Sequence, residues 1–181
     1  MKKFIILLCC VISVGYIFAE GKKYEAEGLS FMLPYGFSEV ENPIKDKENA
    51  PVFAKYYMNE KADLLVRVRK DDWGEGELND VNLFAYATAY VANAIGYIPK
   101  SDALMKMESK DYELMKADGG VLAIFELSKD QEEIQGFKFE ILLMLMKKPK
   151  SIYLISYQYN DLSDEWDNCG KMLFDNVEIK E

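Results

Sequence analysis

The chain has 181 residues, 50% of them hydrophobic, with 31 acidic against 22 basic side chains and a formal charge of −9. That is enough chain for one domain with a sizeable core, and so acidic a surface repels phosphate backbones and anionic lipid heads, which sets nucleic-acid binding and peripheral membrane binding aside. Histidine is absent, which removes Ser-His-Asp and Cys-His catalysis and the usual zinc sites.

Lys2 and Lys3 precede an uncharged, largely apolar run from Phe4 to Phe18, and Ala19 closes it before Glu20. A basic start, a short apolar core and a small residue at the cut describe a secretory signal peptide over residues 1–19. The expected location is therefore periplasmic or secreted. Two alternatives stand beside it. A retained membrane anchor would have about fifteen apolar residues where roughly twenty are normal. A lipoprotein cut at Cys9 or Cys10 would leave an apolar core of about five residues, below the usual 7–15. Cleavage after Ala19 leaves about 160 residues at a charge of about −11. Cys169 would then be the sole cysteine, so the apolar core must hold the fold without an internal disulfide.

Residues 20–28 are charged and read as a frayed lead-in to a single α+β domain over 29–181. Leu29 to Leu33 is a short apolar run stopped by Pro34, with Tyr35-Gly36-Phe37 behind it, a strand and then a turn. Asn42-Pro43, a charge cluster and Pro51 mark a loop over 41–51. Val52–Met58 and Ala62–Lys70 are predicted strands joined at Asn59-Glu60-Lys61. In the second, Leu64, Val66 and Val68 alternate with Leu65, Arg67 and Arg69, and a period of two predicts one buried face. Asp71–Glu77 is an acidic, glycine-punctuated loop. A helix follows from Asp80 to Tyr97, ended by Gly96 and Ile98-Pro99, with Phe84, Ala87, Val91, Ala94 and Ile95 on its core face.

Three strands are expected next, at Ala103–Met107, Tyr112–Lys116 and Gly120–Ser128, and residues 129–136 are polar and loop-like. Phe137–Met146 begins as clean alternation and becomes apolar on both faces, as a central strand covered on both sides at one end would. Lys147-Lys148-Pro149-Lys150 turns the chain into a partner strand, Ser151–Tyr159. Asp161 or Ser163 caps a last helix whose Leu162, Trp166, Cys169 and Leu173 form one apolar stripe, and Val177 and Ile179 end the chain. The order of elements predicts an antiparallel β-sheet flanked by helices, in place of alternating βαβ units.

The opening Gly28-Leu29-Ser30-Phe31-Met32-Leu33-Pro34-Tyr35-Gly36-Phe37, the mid-chain helix after two strands, and the closing Leu173-Phe174-Asp175-Asn176-Val177-Glu178-Ile179 resemble the PsbP-like group, with its DcrB-like envelope proteins and Mog-type Ran-binding proteins. The resemblance spans most of residues 24–179. It implies an α/β/α sandwich around an antiparallel sheet, and a binding or assembly accessory without shared catalytic residues. Some photosynthetic members use histidine near metal; this chain has none, so no metal site or photosynthetic role is carried over. The nuclear Ran-binding role conflicts with the signal peptide.

The helix at 80–97 carries the main candidate site. From Val81 to Pro99 it has no charge, and its outer positions are Asn82, Ala85, Thr88, Ala89, Ala92 and Asn93. Helices packed on one side normally carry charges outside. Tyr86, Tyr90 and Tyr97 make a second stripe beside the core face, and tyrosine suits interfaces because it buries area and keeps a polar tip. Tyr86, Ala89, Tyr90, Asn93 and Tyr97 are therefore the expected partner-binding residues. The structural alternative is that a loop at 41–51 or 71–79 covers this face.

Other features point to structure. The acids of Asp71–Glu77 fit no EF-hand, and Asp161–Asp167 has Trp166 where the EF-hand glycine belongs, so no metal is expected. Cys169 on an apolar stripe reads as a buried, inert thiol. Tyr153, Tyr157 and Tyr159, with Ile155, line one strand face as core or as a groove wall. The chain reads as a non-catalytic binding or assembly accessory of the cell envelope, with no cofactor and no stable membrane insertion after cleavage. Its partner would be an envelope protein or a second copy through the 80–97 helix. The alternative is a carrier of a small apolar ligand held between sheet and helix.

Overall fold

The computed structural model describes residues 21–43, 52–74, 76–99, 104–161 and 163–180. The expected signal peptide, most of the 41–51 loop and Leu162 lie outside them. The first described strand is β1 (Gly21–Ala26), so this stretch is not a frayed lead-in. It pairs antiparallel with β2 (Leu29–Pro34) through Glu27 and Gly28, both at positive φ (52° and 81°), the geometry that suits the twist of a two-residue hairpin. Lys22, Lys23 and Glu25 are exposed while Ala26 is buried: Lys23 and Glu25 share the outer side of the strand, and Lys22 lies at its exposed start over the Tyr24 ring. The short β10 (Glu178–Ile179) pairs with the other edge of β2 and completes a three-stranded sheet.

The larger sheet has seven strands in the order β3 (Phe37–Val40), β4 (Lys55–Asn59), β5 (Leu64–Asp72), β9 (Ser151–Tyr159), β8 (Phe139–Lys147), β7 (Gly119–Glu126) and β6 (Leu104–Lys106). Every neighbouring pair is antiparallel. After β5 the chain crosses one face of the sheet through helix α1 (Asp80–Ile95) to the far edge at β6, then returns strand by strand until β9 closes against β5. α1 therefore lies across a sheet face, and its flank runs beside β5.

Two segments differ from expectation. Within Tyr112–Lys116, predicted as a strand, the chain forms the end of a short helix, α2 (Ser109–Leu114), and Lys116 at φ 59° redirects it into β7. Tyr112 and Met115 pack on the core while Leu114 is exposed. Tyr112 and Met115 are three apart, a helical spacing that puts both on the side of the turn facing the core. Residues 129–136, read as a loop, hold helix α3 (Lys129–Gln135). Ser128 Oγ caps it by accepting from the Gln131 amide at 3.3 Å, and Gly136 at φ 79° ends it.

The seven-stranded sheet is covered on both faces. One face presents Leu64, Val66, Val68, Ile141, Leu143, Leu145, Ile155 and Tyr157 to the small sheet and to helix α4 (Asp164–Asp175) through Phe31, Leu33, Cys169 and Leu173. The other face packs Leu65, Leu142, Met144 and Leu154 against Leu83, Ala87 and Val91 of α1. Arg67, expected from the period of two on an open face, is 0% exposed, as is Glu140 at the end of β8 expected to be less covered.

Candidate functional site

α1 is set by its ends. Asn79 caps the start by accepting from the amides of Val81 and Asn82, and Gly96 at φ 81° closes it with an N–H bond to Ala92 O. Leu83, Ala87, Val91, Ala94 and Ile95 turn into the core. Leu83 takes the place expected for Phe84, which is half-buried on the flank.

The remaining turn positions leave a groove of about 550 Å³ beside α1. Tyr86, Ala89, Tyr90, Asn93 and Ala94 line it from the helix, Arg69 from β5 and Gln131 from α3. Four of the five residues singled out in the sequence thus meet around one groove. Tyr97 does not join them: it lies beyond the left-handed Gly96, off the helical spiral, and is 66% exposed.

The two groove tyrosines turn their hydroxyls down to the sheet. Tyr86 Oη donates to Asp71 Oδ2 at 2.6 Å and accepts from Arg69 Nη2 at 3.0 Å, while Arg69 and Asp71 pair directly at 2.9 Å. Arg69 Nη1 also donates to Val52 O, and the guanidinium lies over the Phe53 ring. Tyr90 Oη donates to Glu140 Oε1 at 3.0 Å and accepts from Arg67 Nη2 at 3.3 Å. Burial raises both hydroxyls above the ordinary tyrosine value; the bond to Asp71 adds to this at Tyr86, and the Glu140 charge adds to it at Tyr90. Both stay protonated at neutral pH and serve as fixed walls with their hydrogen bonds already made.

Beneath Tyr90 lies a polar island within the core. Arg67 Nη2 pairs with Glu140 Oε1 at 3.0 Å. Its Nε and Nη2 both reach Ser156 Oγ (3.1 and 2.8 Å), and Nη1 reaches Gln135 Oε1 at 2.7 Å. Gln158 Nε2 bridges Gln135 Oε1 (2.7 Å) and Glu140 Oε2 (3.0 Å). The register explains the assembly: Arg67 stands opposite Ser156, and Glu140 opposite Gln158. Phe53 covers the guanidinium with its ring centroid 4.4 Å away, a cation–π contact in a desolvated setting. The pair is neutral as a unit, and nearly every arm is bonded, which is the condition for burying charge.

The other flagged groups are placed structurally. Asp71 belongs to β5 and is held by Arg69 and Tyr86. Ser163 caps α4 by accepting from Trp166 N, and Glu165 is held by Lys61 and Asn59. No group of three or more metal-ligating side chains occurs among the described residues. Cys169 is buried, and burial pushes its thiol up to about 12. Tyr153, Tyr157 and Tyr159 are core, with Tyr157 Oη donating to Trp166 O at 3.1 Å.

Sequence reasoning did not single out Arg67, Glu140, Gln135, Gln158 or Ser156. One signal was available. The chain's two arginines stand two apart in one strand, whereas its other cationic side chains are all lysine. A planar fork that stays charged is the cation suited to burial among several acceptors. A second signal was the Ser128-x-x-Gln131 pattern with Gly136 behind it, which marks α3.

No described helix is long and apolar enough to cross a membrane. No family model matches the chain, and no curated protein sequence does. Among solved structures it is similar to the solution structure of cyanobacterial PsbP (CyanoP) from Synechocystis sp. PCC 6803, with 15% identity over 93% of this chain and 98% of that chain, and a TM-score of 0.50. A likeness at that identity bears on architecture and speaks for the PsbP part of the resemblance, with no argument for DcrB-like or Mog-type proteins. The chain has a PsbP-like α+β fold.

Proposed function

We propose that the chain is an exported, non-catalytic binding or assembly accessory of the cell envelope, working through the outer face of α1 and the groove beside it. The observation that carries this reading is the convergence of Tyr86, Ala89, Tyr90 and Asn93 on one groove whose tyrosine hydroxyls are already hydrogen-bonded. Such a wall offers a partner shape and aromatic ring surface, while its tyrosine hydroxyls are bonded to the sheet and have no proton to exchange at neutral pH. The basic and apolar start at Lys2–Phe18 supports export. The accessory role is also what the PsbP-like resemblance implies. Carriage of a small apolar ligand between sheet and helix would require space where Leu83, Ala87 and Val91 sit, and these are 0–1% exposed.

Crosslinking of the tagged protein in its native cells tests the reading, with mass spectrometry of captured proteins and extracted small molecules. A captured envelope protein or a second copy, lost in Ala89→Lys, is the expected result. Capture unaffected by Ala89→Lys in a folded protein would overturn it, and a bound lipid or metabolite without a protein would favour the carrier.

A further inference from the structure

The groove beside α1 has spent its acceptors and kept its donors. The Tyr86 and Tyr90 hydroxyls are turned down to Asp71 and Glu140, which leaves their rings as wall. Gln131 Oε1 accepts from Gln135 Nε2 at 2.7 Å. That bond fixes the Gln131 carboxamide and leaves its Nε2 hydrogens without an acceptor among the described residues. Arg69 gives Nη1 to Val52 O and Nη2 to Tyr86 and Asp71, and its buried Nε has no partner among the described residues. Asn93, at the α3 end of the groove, is exposed, and its carboxamide bonds to no described residue. The unspent side-chain capacity is therefore mostly donor, at Gln131, Arg69 and Asn93, against one spare carboxamide oxygen on Asn93.

Donors call for acceptor oxygens in the occupant, and the charges decide which kind. A carboxylate is opposed by the exposed Asp130 and Glu132, the sequence neighbours of Gln131, and by a chain of net charge −9. A cation meets the Arg69 guanidinium and finds no carboxylate in the lining. A sugar brings a donor with every hydroxyl, and donors buried without acceptors are costly. Uncharged carbonyls fit. A peptide backbone supplies them, and at proline it does so with no N–H to satisfy. Pyrrolidine rings are also apolar surface to lay on Tyr86 and Tyr90, and a polyproline II segment is ordered before it docks. Length agrees as well. Tyr86 and Asn93 are about 10 Å apart along the helix axis, and one turn of polyproline II is about 9 Å.

We propose that the groove beside α1 takes an uncharged, proline-rich segment of an envelope protein in polyproline II conformation, its carbonyls accepting from Gln131 and Asn93 and its rings lying on Tyr86 and Tyr90 across Ala89; this rests on the reading of α1 as the binding surface and names the partner's chemistry. A contact of one turn is small, so the dissociation constant falls between about 10 µM and about 1 mM.

Amide NMR spectra of the purified, isotope-labelled protein test this by titration to about 5 mM peptide, beyond the weakest affinity expected. The probe is octaproline, acetylated and amidated so that it carries no charge, beside a blocked Gly-Ser peptide of the same length. Octaproline shifts the amides of Tyr86, Ala89, Tyr90, Asn93 and Gln131 saturably, and the Gly-Ser peptide binds at least tenfold more weakly. Gln131→Glu keeps an oxygen for Gln135 and loses the outward N–H, and Ala89→Lys fills the groove; each weakens octaproline binding at least tenfold. Circular dichroism matching the unchanged protein establishes that both variants are folded. No shift at the groove, equal binding of the Gly-Ser peptide, or undiminished binding in Gln131→Glu would overturn the proposal. If octaproline leaves the groove untouched while a crosslinked envelope protein is still lost in Ala89→Lys, this occupant is overturned and α1 remains a binding surface.

Discussion

The two faces of the seven-stranded sheet are built on opposite terms. On the face toward the small sheet and α4, Leu64, Val66, Val68, Leu143, Leu145 and Ile155 are apolar and at most 3% exposed. On the face toward α1, the same strands bury Arg67, Glu140, Ser156 and Gln158, each 0% exposed, beside Leu65, Leu142 and Leu154. Apolar packing is tolerant of exchange and supplies most of the stability of a fold. A buried charge is tolerated only while its partners are in place. Apolar packing holds the sheet on both faces, and the second face in addition fixes one arrangement of β5, β8, β9, α1 and α3, because a slip of any of them strands a charge or a carboxamide.

The sharpest break in this comparison is Glu140→Ala. It leaves the Arg67 guanidinium buried without its counter-charge and deprives Tyr90 and Gln158 of an acceptor. Loss of one member of a buried pair costs about 3–5 kcal/mol. Urea denaturation should show that loss for Glu140→Ala and a similar one for Arg67→Met, with much of it recovered in Arg67→Met/Glu140→Leu. Losses that simply add in the double variant would mean that the two residues do not act as a pair.

Leu143→Ala probes the opposite face. Leu143 is 1% exposed among Val66, Ile155 and the side chains of the small sheet, and truncation of such a residue costs about 2–5 kcal/mol through lost transfer and a cavity. Leu143→Met should cost less than about 1.5 kcal/mol because volume is conserved. The contrast with Arg67→Met is the point: one face accepts a change of shape, the other rejects a change of charge. A Leu143→Met loss as large as that of Arg67→Met would erase the distinction.

The same contrast explains what could be read from the sequence. β9 was expected at Ser151–Tyr159 and is found there, because a buried strand between lysine-rich and Asp-rich turns has sharp limits. The groove residues of α1 were legible because helical spacing alone puts Tyr86 and Tyr90 on one flank. The polar island was not. Period two separates Arg67 and Arg69 from Val66 and Val68, but polarity by itself predicts exposure, and which face α1 covers depends on the crossover from β5 to the distant β6. Glu140 and Gln158 come together only through the β8–β9 register, and no local pattern announces that.

Alkaline titration loads both faces more gently. Burial pushes Tyr57 and Tyr159 on the apolar face up to about 12 each, and raises Tyr90 on the other face. Unfolded tyrosine ionises near pH 10. Above that the unfolded chain binds fewer protons than the folded one, so stability falls as pH rises toward the folded values, by about 1.4 kcal/mol per pH unit per group. The contribution is fully present below about pH 10. The urea midpoint should drop steeply beyond that point, and Tyr159→Phe should flatten the slope by one group's share. An unchanged slope in Tyr159→Phe would remove Tyr159 from the account.

The smallest expected effect on stability is the one that isolates the binding surface. Ala89 is exposed at mid-helix, lining the groove without taking part in the polar island. Alanine and lysine are both good helix formers, so Ala89→Lys should move the urea midpoint by less than about 0.5 kcal/mol equivalent. Tyr90→Phe removes a hydroxyl bonded to both Glu140 and Arg67, and should cost about 1–3 kcal/mol by leaving a charged group short of a partner. If capture is lost in Ala89→Lys and kept in Tyr90→Phe, the open side of the groove binds while the Tyr90 hydroxyl beneath it holds the helix in place. The reverse pattern would move binding from the open side down to the polar island.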